Sequence, residues 1–151
     1  MGTFHVARSA SIHADPALVH GLVNDFHEWP AWSPWEEVDP GMERTYSGAP
    51  SGVGAHYAWL GNRKAGQGSM EIVGSGPERI EVALAFVRPF RASNDVVFRI
   101  EPGDGGSVVT WEMSGEQKGL MALVGKVYPM DKLVGKDFER GLARLKAVAE
   151  A

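Results

Sequence analysis

The 151-residue chain contains no cysteine. Disulfide bridges, thiolate metal sites and cysteine nucleophiles are thereby excluded, and a reducing compartment is compatible with the lack. No stretch approaches the roughly 20 apolar residues of a membrane-crossing helix. The opening MGTFHVARSASIHADP has no continuous apolar run of the secretory kind. A soluble, cytoplasmic protein without integral membrane association is therefore expected. Positive charge is not in excess either. The formal net charge is -4, which argues against a general nucleic-acid binder. Five histidines are present (His5, His13, His20, His27, His56), but none forms HxH, HExxH or a two-histidine-plus-carboxylate spacing within one element. No metal site is expected from them. There is no GxSxG elbow. The glycine-rich GSGPER and PGDGG lack the GK[ST] of a phosphate loop and read as turns. No cofactor is implied.

What is present fits one globular domain spanning 1–151, with 44% apolar and 23% charged residues. Charge is uneven. Residues 117–151 carry seven Lys/Arg and four acids, a net +3, which leaves -7 on the first 116. A solvated helix face accounts for this, and contact with an acidic partner or a membrane surface is the sharper alternative. The most unusual stretch is HEWPAWSPWEE, residues 27–37, with Trp29, Trp32 and Trp35 interleaved with Pro30 and Pro34. Such a segment either plugs a core or lines an opening for something apolar.

Hydrophobic periodicity orders the rest. Residues 4–12 read as a strand. In ADPALVHGLVND, Asp15 suits an N-cap and Pro16 the first helical position, followed by Leu18, Val19, Leu22 and Val23 at helical spacing. The Trp/Pro segment reads as a short second helix and a loop. Beyond residue 41 the period becomes two. Strands are expected at 54–60, 66–73, 80–87, 95–101 and 107–114, with a weaker one near 42–46. The short separators make antiparallel hairpins. Gly52, Gly54, Gly66 and Gly68 suit bends and bulges in such a sheet. Leu120, Met121, Leu123 and Val124 form an apolar patch, Pro129 interrupts, and a helix of about five turns follows. The fold class is α+β: a curved antiparallel sheet covered by a long C-terminal helix, with a gap between them as the natural binding site.

The element order and the stretches WPAWSPW, GVGAHYAWLGN, GQGSMEIV, VRPF, VTWEMSG and MDKLVGKDFERGLARLK resemble a bacterial branch of the START-like superfamily of polyketide cyclases, dehydrases and lipid-transport proteins. The resemblance covers nearly the whole chain. It implies the helix-grip fold, but a shared fold does not transfer an activity.

Strand parity then selects a concave lining. Val109, Trp111 and Met113 share one face; so do Ile80, Val82, Leu84 and Phe86; so do Val96, Phe98 and Ile100; so do Met70 and Ile72. Tyr57 and Trp59 are taken as inward because the corresponding positions of the branch are aromatic. An aromatic stripe at strand spacing is also what a plain core contains. The abundance of Trp, Tyr and Met favours an adaptable surface with polar tips. Burying one ring contributes roughly 2–3 kcal/mol. Two or three rings stacking on a ligand reach micromolar affinity, about 8 kcal/mol.

The candidate ligand-binding residues are Trp32, Trp35, Tyr57, Trp59, Met70, Phe86, Arg88, Phe98, Trp111, Met113, Met121, Val124 and Tyr128. Trp32 and Trp35 are placed at one end of the groove. Met121, Val124 and Tyr128, before Pro129, are placed on the movable side of a gate. Arg88 is placed at the mouth, where it suits a carboxylate or serves as an exposed turn residue. Tyr57, His56, Glu71, Arg88, Glu112 and Asp137 are the available acid/base groups, with Glu71 and Glu112 facing outward by parity. No catalytic residue is assigned. The first reading is a binder or carrier of a small hydrophobic or amphipathic, lipid- or polyketide-like molecule. The second is a cyclase- or aromatase-type enzyme using the same pocket. The third is a protein-interaction module using the basic terminal helix or a sheet edge. Homodimerisation is left open.

Overall fold

In the computed structural model the described residues are 2–37, 41–62, 66–88, 91–117 and 130–151. The first helix, α1 (Pro16–Val23), starts as its sequence demands. The Asp15 side chain accepts the Ala17 amide at 2.8 Å, and Pro16 occupies the position that needs no donor. Its other end is closed by the tryptophan segment, which forms two short 3₁₀ turns, Phe26–Ala31 and Pro34–Glu37. The last carbonyls of a helix lack partners within it. Here the Trp29 indole donates to Leu22's neighbour, the Val23 carbonyl, and the Trp32 indole donates to the Leu22 carbonyl, each at 2.9 Å. Trp29 and Trp32 are buried. The prolines keep the backbone irregular, and the irregularity aims both rings inward.

Seven strands make one antiparallel sheet: β1 (Gly2–Ile12), β2 (Glu43–Gly48), β3 (Ala55–Leu60), β4 (Gln67–Gly76), β5 (Arg79–Arg88), β6 (Ala92–Gly103) and β7 (Gly106–Gln117). Their spatial order is β1-β7-β6-β5-β4-β3-β2. Alternating burial follows the expected parity: Met70 and Ile72, Ile80 to Leu84, Val96 to Ile100, and Val109 to Met113 face the core. Register shifts between Gln67 and Gly68 and between Ile72 and Gly74 bend β4. β7 runs further than its apolar core suggests because β1 continues to pair with it as far as Gly2 and Gln117, and β6 is extended by pairing with Phe86 of β5 at Ala92 and with Gly106 of β7 at Gly103. The expected apolar patch at 120–124 lies outside the described residues.

The closing helix, α2 (Met130–Glu150), buries Phe138, Leu142, Leu145 and Ala149 as one stripe. It packs chiefly against β1, and to a lesser extent against α1 and the two 3₁₀ turns. Two glycines set how close it comes. A methyl group on Gly141 would stand 2.7 Å from Cζ3 of Trp111 and 2.9 Å from Cδ of Pro34. One on Gly135 would collide with the Arg8 guanidinium, which reaches from β1 to Glu139 of α2 at 2.9 Å. The far end is clipped to β1 as well. Lys146 donates to the Ser11 carbonyl at 3.1 Å, and the Glu150 carboxylate accepts the His13 amide at 2.9 Å. On the opposite, outer face, Glu112 accepts from Arg99 at 2.7 Å and lies 3.3 Å from His5.

Gly141→Ala is expected to lower stability by about 1–2 kcal/mol, because overpacking exceeds the gain in helix propensity. Gly21→Ala in α1, where an added methyl meets nothing within 4 Å, is expected to raise stability by up to about 1 kcal/mol. Urea unfolding of the two variants checks the opposite signs.

The Arg99 hydrogen bond holds the Glu112 carboxyl below its ordinary value of 4.5, with the His5 bond adding to it. A depressed carboxyl stabilises the fold above its unfolded value, and this contribution disappears as pH falls through the folded value. The stability gap between the wild type and Glu112→Gln should therefore be full near neutrality and shrink as pH falls below the ordinary value of 4.5. Denaturation midpoints across that range measure it.

Candidate functional site

The concave face divides into two ends. At one end Trp111 stacks on Phe98 of β6, with centroids 4.9 Å apart, and on Phe138 of α2 at 4.1 Å and 10°. Trp32 meets Trp111 edge-on at 5.6 Å, and Trp29 meets Phe98 edge-on at 5.7 Å. Trp35 packs its edge on Trp111 at 5.5 Å and donates its indole N–H to Asp137 at 3.2 Å. Edge-to-face and offset contacts of this kind are favourable beyond the area they bury. Trp32, Phe98 and Trp111 are 0–1% exposed. They fill this end of the groove rather than surround a hollow in it. The Trp111 indole N–H is buried there without a hydrogen-bond partner among the described residues, so ring packing alone holds it.

The other end is built differently. Tyr46, Tyr57, Trp59 and Phe86 follow one another across β2, β3 and β5 at centroid separations of 5.3, 6.2 and 5.8 Å. Gly68 makes this row flat. It pairs with Trp59, and a methyl group there would stand 2.5 Å from the indole. The cross-strand partners of Met70 are Tyr57 and Leu84. Trp59, Phe86 and Tyr46 are only partly buried, in contrast to the sealed rings beneath α2. Met113 lies between the two ends, buried opposite Val6 and Val96. Arg88 is exposed at the tip of β5. Met121, Val124 and Tyr128 lie outside the described residues.

The ionisable candidates are mostly structural in their contacts. Asp137 accepts from Trp35 and from Arg140, the latter at 2.8 Å. Glu112 is bound to Arg99 on the outer face. Glu71 is exposed, and His56 lies 3.3 Å from the Ser47 hydroxyl. Among the described residues no cluster of three or more His, Asp and Glu is arranged to hold a metal ion.

Sequence reasoning missed a cleft of about 140 Å³ beside the turn joining β2 and β3. Phe26, His27, Tyr46 and His56 border it, with the His27 ring stacked on Tyr46 at 4.2 Å. None of the thirteen candidate residues lines it. The signal for Tyr46 was its place in the weak edge strand, and for His27 its place beside Trp29. The role of Gly68 as the floor under Trp59 was visible only as a glycine in a strand.

Residues 3–150 match the family described as polyketide cyclase / dehydrase and lipid transport. No curated protein matches the sequence. Among solved structures, the chain is similar to CV1439 from Chromobacterium violaceum at 16% identity and a TM-score of 0.67, over 99% of this chain and 97% of the other. It is similar to KanY at 18% identity and a TM-score of 0.72, over the whole of both chains. It is also similar to the di-domain ARO/CYC protein StfQ of the steffimycin biosynthetic pathway, at 10% identity and a TM-score of 0.70, over 98% of this chain and 51% of that one. These identities speak for the fold alone. With the sheet, its covering helix and a match running almost from end to end, the chain belongs to the polyketide cyclase/dehydrase and lipid transport family.

Proposed function

We propose that the protein binds or carries a small apolar or amphipathic molecule on the concave face of β3–β5, at the end of the groove that α2 does not fill. The observation that carries this reading is the contrast in ring burial. Trp111 and Trp32 are sealed, whereas Trp59 and Phe86 keep accessible surface on the same face. Partly exposed aromatic rings on a concave wall gain from covering by an apolar ligand. Tyr57 and Met70 extend that wall, and Arg88 stands at its mouth. Trp35, Phe98 and Met113 act as backing that keeps the wall rigid. Among the described residues, no helix is long and apolar enough to cross a membrane.

A second reading is a cyclase- or aromatase-type enzyme, in which the same wall folds a polyketide-like chain. The likeness to the ARO/CYC protein StfQ favours it. The carrier reading stands first because the described wall offers Tyr57 as its ionisable group and Arg88 at the rim, which is little acid/base equipment.

Native mass spectrometry of the purified protein, followed by denaturing extraction, is expected to release co-purified lipid or aromatic material. A single apo mass, together with no displacement of an apolar dye by any candidate ligand, contradicts the reading. Two truncations separate wall from core. Trp111→Ala is expected to cost about 3–5 kcal/mol of stability. Trp59→Ala should cost far less stability and weaken dye binding roughly tenfold or more. Equal dye affinity in Trp59→Ala and wild type places the ligand elsewhere.

A further inference from the structure

Asn94 is 7% exposed, on the core-facing side of β6. Its neighbours in register are Leu84 of β5 and Gly115 of β7, and Gly115 in turn pairs with Phe4 of β1. The amide oxygen lies over Gly115, where a Cβ would collide with it and would stand 3.1 Å from the Phe4 ring. The absence of a side chain at Gly115 is what lets the amide lie across the sheet. The amide has no hydrogen-bond partner among the described residues. Trp111 Nε1 is unpaired and sealed; the Asn94 amide is unpaired but not sealed. Buried polar groups are almost always paired. An unpaired amide that can still be reached is free to pair with something that arrives from solution.

Its position identifies that something by chemistry. Asn94 stands in the same cross-sheet row as Leu84, Met70 and Tyr57, and so continues the wall described above. The row carries no charged side chain. A carboxylate set there would lose water without gaining a counter-charge, which is strongly unfavourable. A carboxamide is neutral and offers both a donor and an acceptor. We infer that Asn94 is a specificity-determining anchor for a neutral oxygen, a hydroxyl or a carbonyl, of an otherwise apolar ligand. The ligand's hydrocarbon lies against the partly exposed Trp59 and Phe86, in the neighbouring register row, while its oxygen pairs with the amide. This rests on the carrier reading and narrows the group met at Asn94 to a neutral oxygen.

Three probes of one ring system test it by calorimetry: 2-naphthol, 2-methylnaphthalene and 2-naphthoate. The wild type is expected to prefer the naphthol to the methylnaphthalene. In Asn94→Leu that ratio should fall roughly threefold to tenfold, through weaker naphthol binding with the methylnaphthalene unaffected or tighter. The thermal midpoint of Asn94→Leu should equal or exceed that of the wild type, since an unpaired amide gives way to an apolar side chain of similar size. Asn94→Ala, which adds no bulk, should show the same collapse of the ratio and carries the test if Asn94→Leu does not fold. An unchanged ratio in a folded variant, with both neutral probes bound, overturns the anchor and leaves the carrier reading standing. Tightest binding of 2-naphthoate overturns the restriction to a neutral oxygen at Asn94. Failure of all three probes to bind the wild type overturns the carrier reading itself.

Discussion

The structure depends on one ring. Trp111 lies between the sheet and the closing helix, stacked on Phe98 on one element and Phe138 on the other. That contact exists because Gly141 has no side chain to hold the helix off. The tryptophans of the 3₁₀ segment complete the enclosure; the indole N–H groups of Trp29 and Trp32 go to the carbonyl end of α1, and that of Trp35 goes to Asp137 on α2. Sheet, first helix and last helix are therefore locked together at a single aromatic centre. Interiors packed in this way transmit strain and leave few voids.

The lock has a consequence for the rest of the groove. A straight helix pressed onto one side of a bent sheet cannot follow it to the other side. α2 lies on β1, while β3 to β5 curve away through the irregularities at Gly68 and Gly74. The rings on that far wall, Trp59 and Phe86, are correspondingly less buried. The same geometry thus accounts for a solid end and a wall that retains apolar surface. Rigidity at the first end is what lets the second present a fixed shape, and a preorganised surface loses less on binding.

Much of this was legible in the amino-acid order. Period-two alternation in IEVALAF and SVVTWEM assigned the inward faces of β5 and β7, because a residue on one side of a sheet must repeat every second position. Asp15-Pro16 marked the start of α1 for a reason that is local. The division of the aromatic residues was not legible. Trp59 and Trp111 look alike in sequence, each inward on a strand. They differ because Trp111 faces Gly141, about thirty residues away in the chain, whereas Trp59 faces Gly68 within its own sheet. Side-chain parity says which face a ring is on, and only tertiary contact says what covers it. Asn94 illustrates the same limit: a polar residue beside a turn-like ASN reads as a loop, yet pairing with β5 and β7 draws it into the sheet.

The five tryptophans offer a direct test of the two-ended groove, since each indole N–H gives its own resonance. Titration of nitrogen-15-labelled protein with 2-naphthol, followed by proton–nitrogen correlation spectra, reads them all at once. The account predicts that the Trp59 indole signal moves with saturation while those of Trp29, Trp32 and Trp111 stay in place. Movement of the Trp111 and Trp32 signals with Trp59 unchanged would contradict it.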